Sequence, residues 1–112
     1  MDIIKTKKVL EEKRKQLIYE LMNGYYDKDK VEFLESQIVE DEFEEGRPCA
    51  DLYKQVYEAN RRLCERLGVE EDKDVEMIIN CMNEISRILA MKMYDYGVDM
   101  KKFEENYLAS LE

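Results

Sequence analysis

Hydrophobic residues recur along the chain at spacings of three and four, which is the period of an α-helix. This pattern predicts helices over residues 3–22, 28–44, 48–67, 72–96 and 99–110. No stretch shows the strict alternation that is typical of a β-strand. Because the predicted connections are short, neighbouring helices are expected to pack antiparallel. The sequence therefore predicts an all-α fold: a compact antiparallel bundle of four long helices plus a short C-terminal helix, in a single domain over 1–112.

The residues at the predicted helix ends agree with these boundaries. Pro48 suits the first turn of a helix, because its ring fixes φ and no partner is needed for the missing N–H. Gly24 can take the left-handed conformation that ends a helix. Asp72 or Asp74 can cap the N-terminus of the fourth helix, and Gly97 is expected to end it.

The predicted helix at 72–96 is apolar around most of its circumference. Ile78, Met82, Ile85 and Leu89 follow the rhythm of a coiled-coil seam, and Lys92 fills the next step. A helix of this kind belongs in the middle of a bundle or in an oligomer interface. A homodimer through residues 72–96 is therefore one interpretation of the sequence.

Composition places the chain among ordinary helical proteins. Of its 112 residues, 45% are hydrophobic and 40% are charged. No window of membrane-spanning length is free of charge, and the N-terminus lacks the apolar core of a signal peptide. The three cysteines, Cys49, Cys64 and Cys81, match neither a disulfide framework nor a metal motif. We therefore expect a cytoplasmic protein with reduced cysteines.

Histidine is absent, which removes the commonest general base and the commonest metal ligand. Ser-His-Asp and Cys-His catalysis are excluded with it. Glycine-rich phosphate-binding loops and the nucleophile elbow are also missing from the sequence. We expect no catalytic residues, no cofactor and no metal site, and hence a protein that is not an enzyme.

The net charge of −9 is concentrated in one part of the chain. Residues 27–45 carry nine acids and two lysines. If 28–44 is a helix, the acids at its C-terminal end oppose the helix dipole. An acidic surface that is present although it destabilises the helix favours a binding role. The residues assigned to this predicted contact surface are Glu35, Glu40, Asp41, Glu42, Glu44 and Glu45, with Phe43 as an apolar anchor.

Two explanations of this charge remain open from the sequence alone. The basic first helix, with "KTKK" at 5–8 and "KRK" at 13–15, could lie alongside and neutralise the acids. Alternatively, the acids bind another protein that has a basic surface. Direct nucleic-acid binding and binding to anionic membranes are not expected, because both need a concentrated basic face.

Residues 14–40 resemble the small sporulation phosphatases that act on response-regulator aspartyl phosphates. The resemblance rests on Ser36-Gln37 with a carboxylate three residues later, on a second helix. Glu40 stands where that family has Asp. The resemblance implies a carboxylate at Glu40 that orients water toward an acyl phosphate on a partner.

In style, the chain is similar to the short acidic helical proteins of phages and mobile elements of Gram-positive bacteria. That similarity implies an inhibitor that mimics phosphates and blocks a nucleic-acid-binding enzyme, of the anti-CRISPR or anti-defence type. The sequence thus predicts, first, a non-enzymatic regulatory protein that binds through an acidic helix surface. The inhibitor, the phosphatase and a structural homo-oligomer are its alternatives.

Overall fold

The computed structural model describes residues 2–27 and 29–112, and at Ile4 the backbone alone. Within these residues the elements are α1 (Ile3–Met22), a single 3₁₀ turn (Glu35–Gln37), α2 (Pro48–Leu67) and α3 (Lys73–Ser110), with no β-strand. The all-α prediction is confirmed. The predicted four long helices plus a short C-terminal helix are wrong, because the described chain forms three α-helices.

The boundaries predicted for the first and third helices are confirmed. Pro48 opens α2 at the position where its missing N–H costs nothing. Gly68 ends α2 with φ of 71°, and its N–H donates to the Glu65 carbonyl at 3.2 Å. Gly24 follows α1 with φ of 72°, as the sequence predicted.

The fourth and fifth predicted helices are one continuous helix. α3 has 38 residues, about 57 Å in length, and Gly97 lies inside it. Oδ1 of Asp72 caps its start by accepting from the N–H groups of Asp74 and Val75 at 3.1 and 3.0 Å. A glycine in a helix interior costs about 1 kcal/mol, which is not enough to end a helix whose apolar side continues in phase beyond it.

The helix predicted at 28–44 does not form over 29–44, and residue 28 lies outside the described residues. Ser36 Oγ accepts from the Phe33 N–H at 3.2 Å, and Asp27 Oδ1 accepts from the Asp29 N–H at 2.9 Å. Such local bonds compete with helical ones. The apolar stripe expected here is also unburied, since Ile38 is 86% exposed. Without a face to bury, and with acids crowded at its C-terminal end, this segment gains little by becoming helical.

α1 runs antiparallel along the C-terminal half of α3. Nζ of Lys15 lies 3.0 Å from Oδ1 of Asp95, and one turn further along α1 Tyr19 lines a cavity together with Ala90. α2 lies beside the N-terminal half of α3, where Tyr53 and Asn83 line a second cavity of about 590 Å³. α3 is therefore the central helix, with α2 beside its N-terminal half and α1 beside its C-terminal half.

The core of this arrangement is thin. Among the described residues, Leu21 and Cys64 alone are buried, with 3% and 6% of their surface exposed. The Cα radius of gyration is 19.4 Å, against about 13 Å for a compact domain of this length. The compact bundle predicted from the sequence is thus wrong. None of the described helices is long and apolar enough to cross a membrane.

Candidate functional site

Residues 35–45 are called the acidic segment below. The segment begins with the 3₁₀ turn at Glu35–Gln37 and continues toward α2 in an irregular conformation. The segment is attached to the end of α1 by its backbone, since the Glu42 N–H donates to the Met22 carbonyl at 2.9 Å. Oδ1 of Asp41 accepts from the Phe43 N–H at 2.8 Å. The first bond holds the central part of the segment against the end of α1, and the second fixes the local conformation of the segment around Asp41.

Gly24, just after α1, lies against the Asp41 side chain of the acidic segment. A Cβ built on Gly24 would lie 2.7 Å from Oδ2 of Asp41, closer than real Cβ atoms approach such an oxygen. Gly24 also has a positive φ, where a side chain is strained. The Asp41 carboxylate therefore occupies space that exists because residue 24 has no side chain.

Arg47 binds three carboxylates of the acidic segment. Its Nη1 lies 2.7 Å from Oε2 of Glu40 and 3.5 Å from Oε2 of Glu42, and its Nε lies 3.6 Å from Oε2 of Glu44. The hydrogen bond to Glu40, followed by the charges of all three acids, raises the pKa of the Arg47 guanidinium. Arg47 thus draws carboxylates together that would otherwise repel one another.

The first helix contributes one ion pair to the acidic segment in the described structure. Nε of Arg14 lies 3.7 Å from Oε1 of Glu35, whose side chain is 16% exposed. Lys15 instead pairs with Glu12 and Asp95. Intramolecular neutralisation by α1 therefore reaches the beginning of the segment, at Glu35. The carboxylates of Glu40, Glu42 and Glu44 pair with Arg47.

Phe43, expected to serve as an apolar anchor, is partly engaged within the chain. Its ring packs edge-on against Tyr53, with 6.1 Å between the ring centroids, and it lines the 590 Å³ cavity. It keeps 40% of its surface exposed. A partner that contacts Phe43 would therefore also reach the entrance of this cavity, where Tyr25 and Asn23 lie beside it.

Two neighbouring contacts support the connector that follows α1. The Tyr26 hydroxyl donates to Oε2 of Glu20 at 2.5 Å, and the Tyr26 ring packs edge-on against Phe33 at 5.1 Å. This hydrogen bond lowers the pKa of Glu20 and raises the pKa of Tyr26. The return of the chain from α1 toward the acidic segment is thereby fixed at a second point.

The residues behind the phosphatase resemblance lie in a different local structure from the helix that it implies. Ser36 and Gln37 belong to the single 3₁₀ turn, and Glu40 lies beyond it. Ser36 Oγ accepts a hydrogen bond from the Phe33 N–H, and the Glu40 carboxylate pairs with Arg47.

Sequence reasoning missed the residues that position the acidic segment. Arg47 is a single basic residue that follows six acids. This isolated positive charge was the sequence signal for an ion-pair partner of the acidic segment. Gly24 was assigned only a role in ending α1. Its packing against Asp41 depends on a long-range fold that no local pattern encodes.

The chain matches no protein-family model, no curated protein and no solved structure. The site is therefore interpreted from its own geometry.

A second candidate surface runs along α3. Ten large side chains repeat at spacings of three and four and fall within an arc of roughly 80°. Each is between 48% and 74% exposed. We call this row the α3 stripe; its members are Ile78, Met82, Ile85, Leu89, Met93, Tyr96, Met100, Phe103, Tyr107 and Leu111. On the side of α3 that packs on α1, Met91, Tyr94 and Val98 lie opposite the stripe, while Met93, at one edge of the stripe, also lines the cavity between α1 and α3.

Proposed function

We propose that this chain is a non-enzymatic regulatory protein that binds a basic surface on another protein through its acidic segment. One observation carries the proposal. The segment is irregular, yet it is tied to the end of α1 through Met22 and Gly24 while its side chains stay accessible. The side chains of Glu40 and Glu44 are 61% and 64% exposed.

A segment fixed before binding loses less conformational entropy when it binds than a flexible loop does. The contacts of Glu42 with Met22 and of Asp41 with Gly24 supply this preorganisation. Affinity for a partner is then reduced less by ordering, and the shape offered to the partner is defined in advance.

Arg47 gathers the carboxylates without cancelling their charge. The acidic segment carries six acids; the guanidinium of Arg47 offsets one of these charges, and Arg14 offsets another at Glu35. A remaining negative patch of this size steers a basic partner toward the site and raises the association rate. Salt weakens such long-range attraction, so binding should fall as ionic strength rises.

The narrower form of the proposal is an inhibitor of a nucleic-acid-binding enzyme. Clustered carboxylates can occupy a basic groove that otherwise holds phosphates. In that form the partner should release this chain when DNA or RNA is added. A basic partner that binds equally well with nucleic acid present would support the general proposal and remove the narrower one.

The test compares two variants with the same change in net charge. The first carries Glu40→Gln, Glu42→Gln, Glu44→Gln and Glu45→Gln, and keeps Asp41 because it accepts a backbone hydrogen bond. The second carries Glu70→Gln, Glu71→Gln, Glu104→Gln and Glu105→Gln, all at exposed positions far from the segment in sequence.

Each variant and the unmodified chain serve as bait in native lysate, and the affinity of the captured partner is then measured with purified proteins. We expect the first variant to lose the partner and the second to retain it. Equal binding by all three baits, or equal loss by both variants, would overturn the acidic segment as the binding surface.

A further inference from the structure

The α3 stripe is more than scattered surface hydrophobicity. Its ten members continue in phase from Ile78 to Leu111 through Gly97, so a single partner could cover them along about 50 Å of helix. Beyond residue 100 every position of α3 is exposed. A helical end of about a dozen residues is only marginally stable in water by itself. A partner that buries the stripe and the end of α3 would therefore stabilise both.

The surface area indicates how large that partner must be. The accessible surface of the chain is 9879 Å², whereas a compact monomer of 13.5 kDa exposes about 6,500 Å². The excess, about 3,400 Å², is larger than the roughly 1,000 to 2,500 Å² that each subunit of an obligate homodimer commonly buries. A short peptide could bury only a small part of this excess, whereas a second chain of the same length could bury a large part of it.

We propose that a second copy of this chain covers the α3 stripe, with the two α3 helices antiparallel about a two-fold axis. This inference does not rest on the function proposed above, because the stripe contains no residue of the acidic segment. A homodimer can hold even if the acidic segment binds nothing, and the reverse is also true.

The spacing of the stripe sets the register. Its midpoint falls between Tyr94 and Asp95. With the two-fold axis there, apolar residues of one copy meet apolar residues of the other along the whole stripe. The expected contacts are Met93 with Tyr96, Leu89 with Met100, Ile85 with Phe103, Met82 with Tyr107 and Ile78 with Leu111, each pair joining the two copies.

Charge complementarity supports the same arrangement. Lys92 and Asp99 border the same edge of the stripe, two turns apart and on either side of its midpoint. A two-fold axis perpendicular to the helices brings each edge against the same edge of the other copy. Lys92 of each copy then faces Asp99 of the other. In the described part of the chain neither side chain forms a hydrogen bond or an ion pair, although Asp99 lines a cavity together with Lys7 and Lys8 of α1.

A parallel, in-register pair lacks these advantages. In such a pair the edge that carries Lys92 and Asp99 lies on opposite sides of the seam in the two copies, so Lys92 of one copy does not face Asp99 of the other. The two helix dipoles would also point the same way, which is the less favourable orientation. Antiparallel pairing brings Lys92 and Asp99 together, opposes the dipoles and keeps the apolar contacts.

Disulfide trapping tests both whether a second copy covers the stripe and whether the two α3 helices are antiparallel. Cys49→Ser and Cys81→Ser remove the two exposed thiols and leave the buried Cys64 in place. Leu89→Cys and Met100→Cys are then introduced on separate chains with different tags, expressed together or singly, and oxidised. Met77→Cys is the matched control, because Met77 is similarly exposed but lies about 120° around α3 from the centre of the stripe.

We expect a cross-linked dimer when Leu89→Cys and Met100→Cys chains are expressed together, and little when either is alone. The two positions in one antiparallel pair come within the reach of a disulfide, whereas equal positions lie about 16 Å apart along the axis. Cross-linking of Leu89→Cys alone would overturn the antiparallel orientation. Absence of cross-linking in every sample, or equal cross-linking by the Met77→Cys control, would overturn the proposal of a second copy.

Discussion

Gly24 lies so close to Asp41 that a side chain at residue 24 would displace the Asp41 carboxylate, which accepts a hydrogen bond from the Phe43 N–H. A Cβ on Gly24 would lie 2.7 Å from Oδ2 of Asp41. The contact joins a helix end to the segment that we propose as the binding surface. It therefore links local backbone conformation to the display of the carboxylates.

Gly24→Ala should destabilise the protein more than Gly68→Ala does. Both glycines have nearly the same positive φ, 72° and 71°, so both substitutions carry a conformational cost of about 1 to 2 kcal/mol. Space around Gly68 is open, whereas Gly24 faces Asp41, which adds about 1 kcal/mol or more. Urea unfolding at one fixed protein concentration measures the difference. In an Asp41→Ala background the two substitutions should cost the same, and a persisting difference would contradict this contact.

Arg47→Gln should strengthen binding of a basic partner and make it more sensitive to salt. The substitution removes the guanidinium that pairs with Glu40, Glu42 and Glu44, and so increases the negative potential of the acidic segment. We expect an association rate several-fold higher at low salt. Arg61→Gln is the control, since it removes the same charge from an exposed pair with Glu65 on α2. If both variants change the rate equally, net charge and not the acidic segment governs association.

Tyr26→Phe should lower the melting temperature at neutral pH and lose its effect in acid. The Tyr26 hydroxyl lowers the folded-state pKa of Glu20, so this interaction stabilises the protein above the ordinary pKa of Glu20 and is lost as pH falls through the lowered value. The difference from the unmodified protein should therefore shrink below roughly pH 4. Melting curves from pH 3 to pH 7 measure it. Tyr25→Phe, at an exposed neighbouring position, should show no such pH dependence.

Lys92→Asp and Asp99→Lys should each weaken the homodimer, and the two together should restore it. Each single change places like charges across the proposed two-fold axis, whereas the double change only exchanges the partners. Coupling between exposed charges of this kind is about 1 kcal/mol, or a several-fold change in the dissociation constant. Sedimentation at low salt gives that constant. A double variant as weak as the sum of the single ones would argue against the antiparallel register.

Local signals in the sequence were sufficient for α1, α2 and the start of α3. Pro48 and Asp72 act at the positions predicted for them, because helix termini depend on the few residues around them. The prediction that Gly97 ends a helix was wrong, although Tyr96, Met100 and Phe103 keep one apolar phase across it. Phase continuity was the stronger signal, since one glycine costs a helix little.

The segment 28–44 shows why apolar periodicity alone is not enough. Val31, Leu34 and Ile38 are spaced for a helix, but a stripe stabilises a helix only if another element buries it. In the structure Leu34 and Ile38 stay exposed, and Ser36 bonds to the nearby backbone instead. Whether an apolar face is buried depends on the whole fold. For the exposed face of α3 it depends on the proposed dimer.

The mass of the protein in solution tests the central claim, that the α3 stripe is covered by a second copy. Sedimentation equilibrium should give twice 13.5 kDa for the unmodified chain and for Met77→Glu. Met93→Glu, which places a charge near the two-fold axis, should give the monomer mass and less helix by circular dichroism. Met77 and Met93 are 64% and 74% exposed, so both variants place a charge at an exposed methionine of α3, one outside the stripe and one within it. A mass of 13.5 kDa for the unmodified chain at every concentration, with cooperative unfolding, would contradict the account.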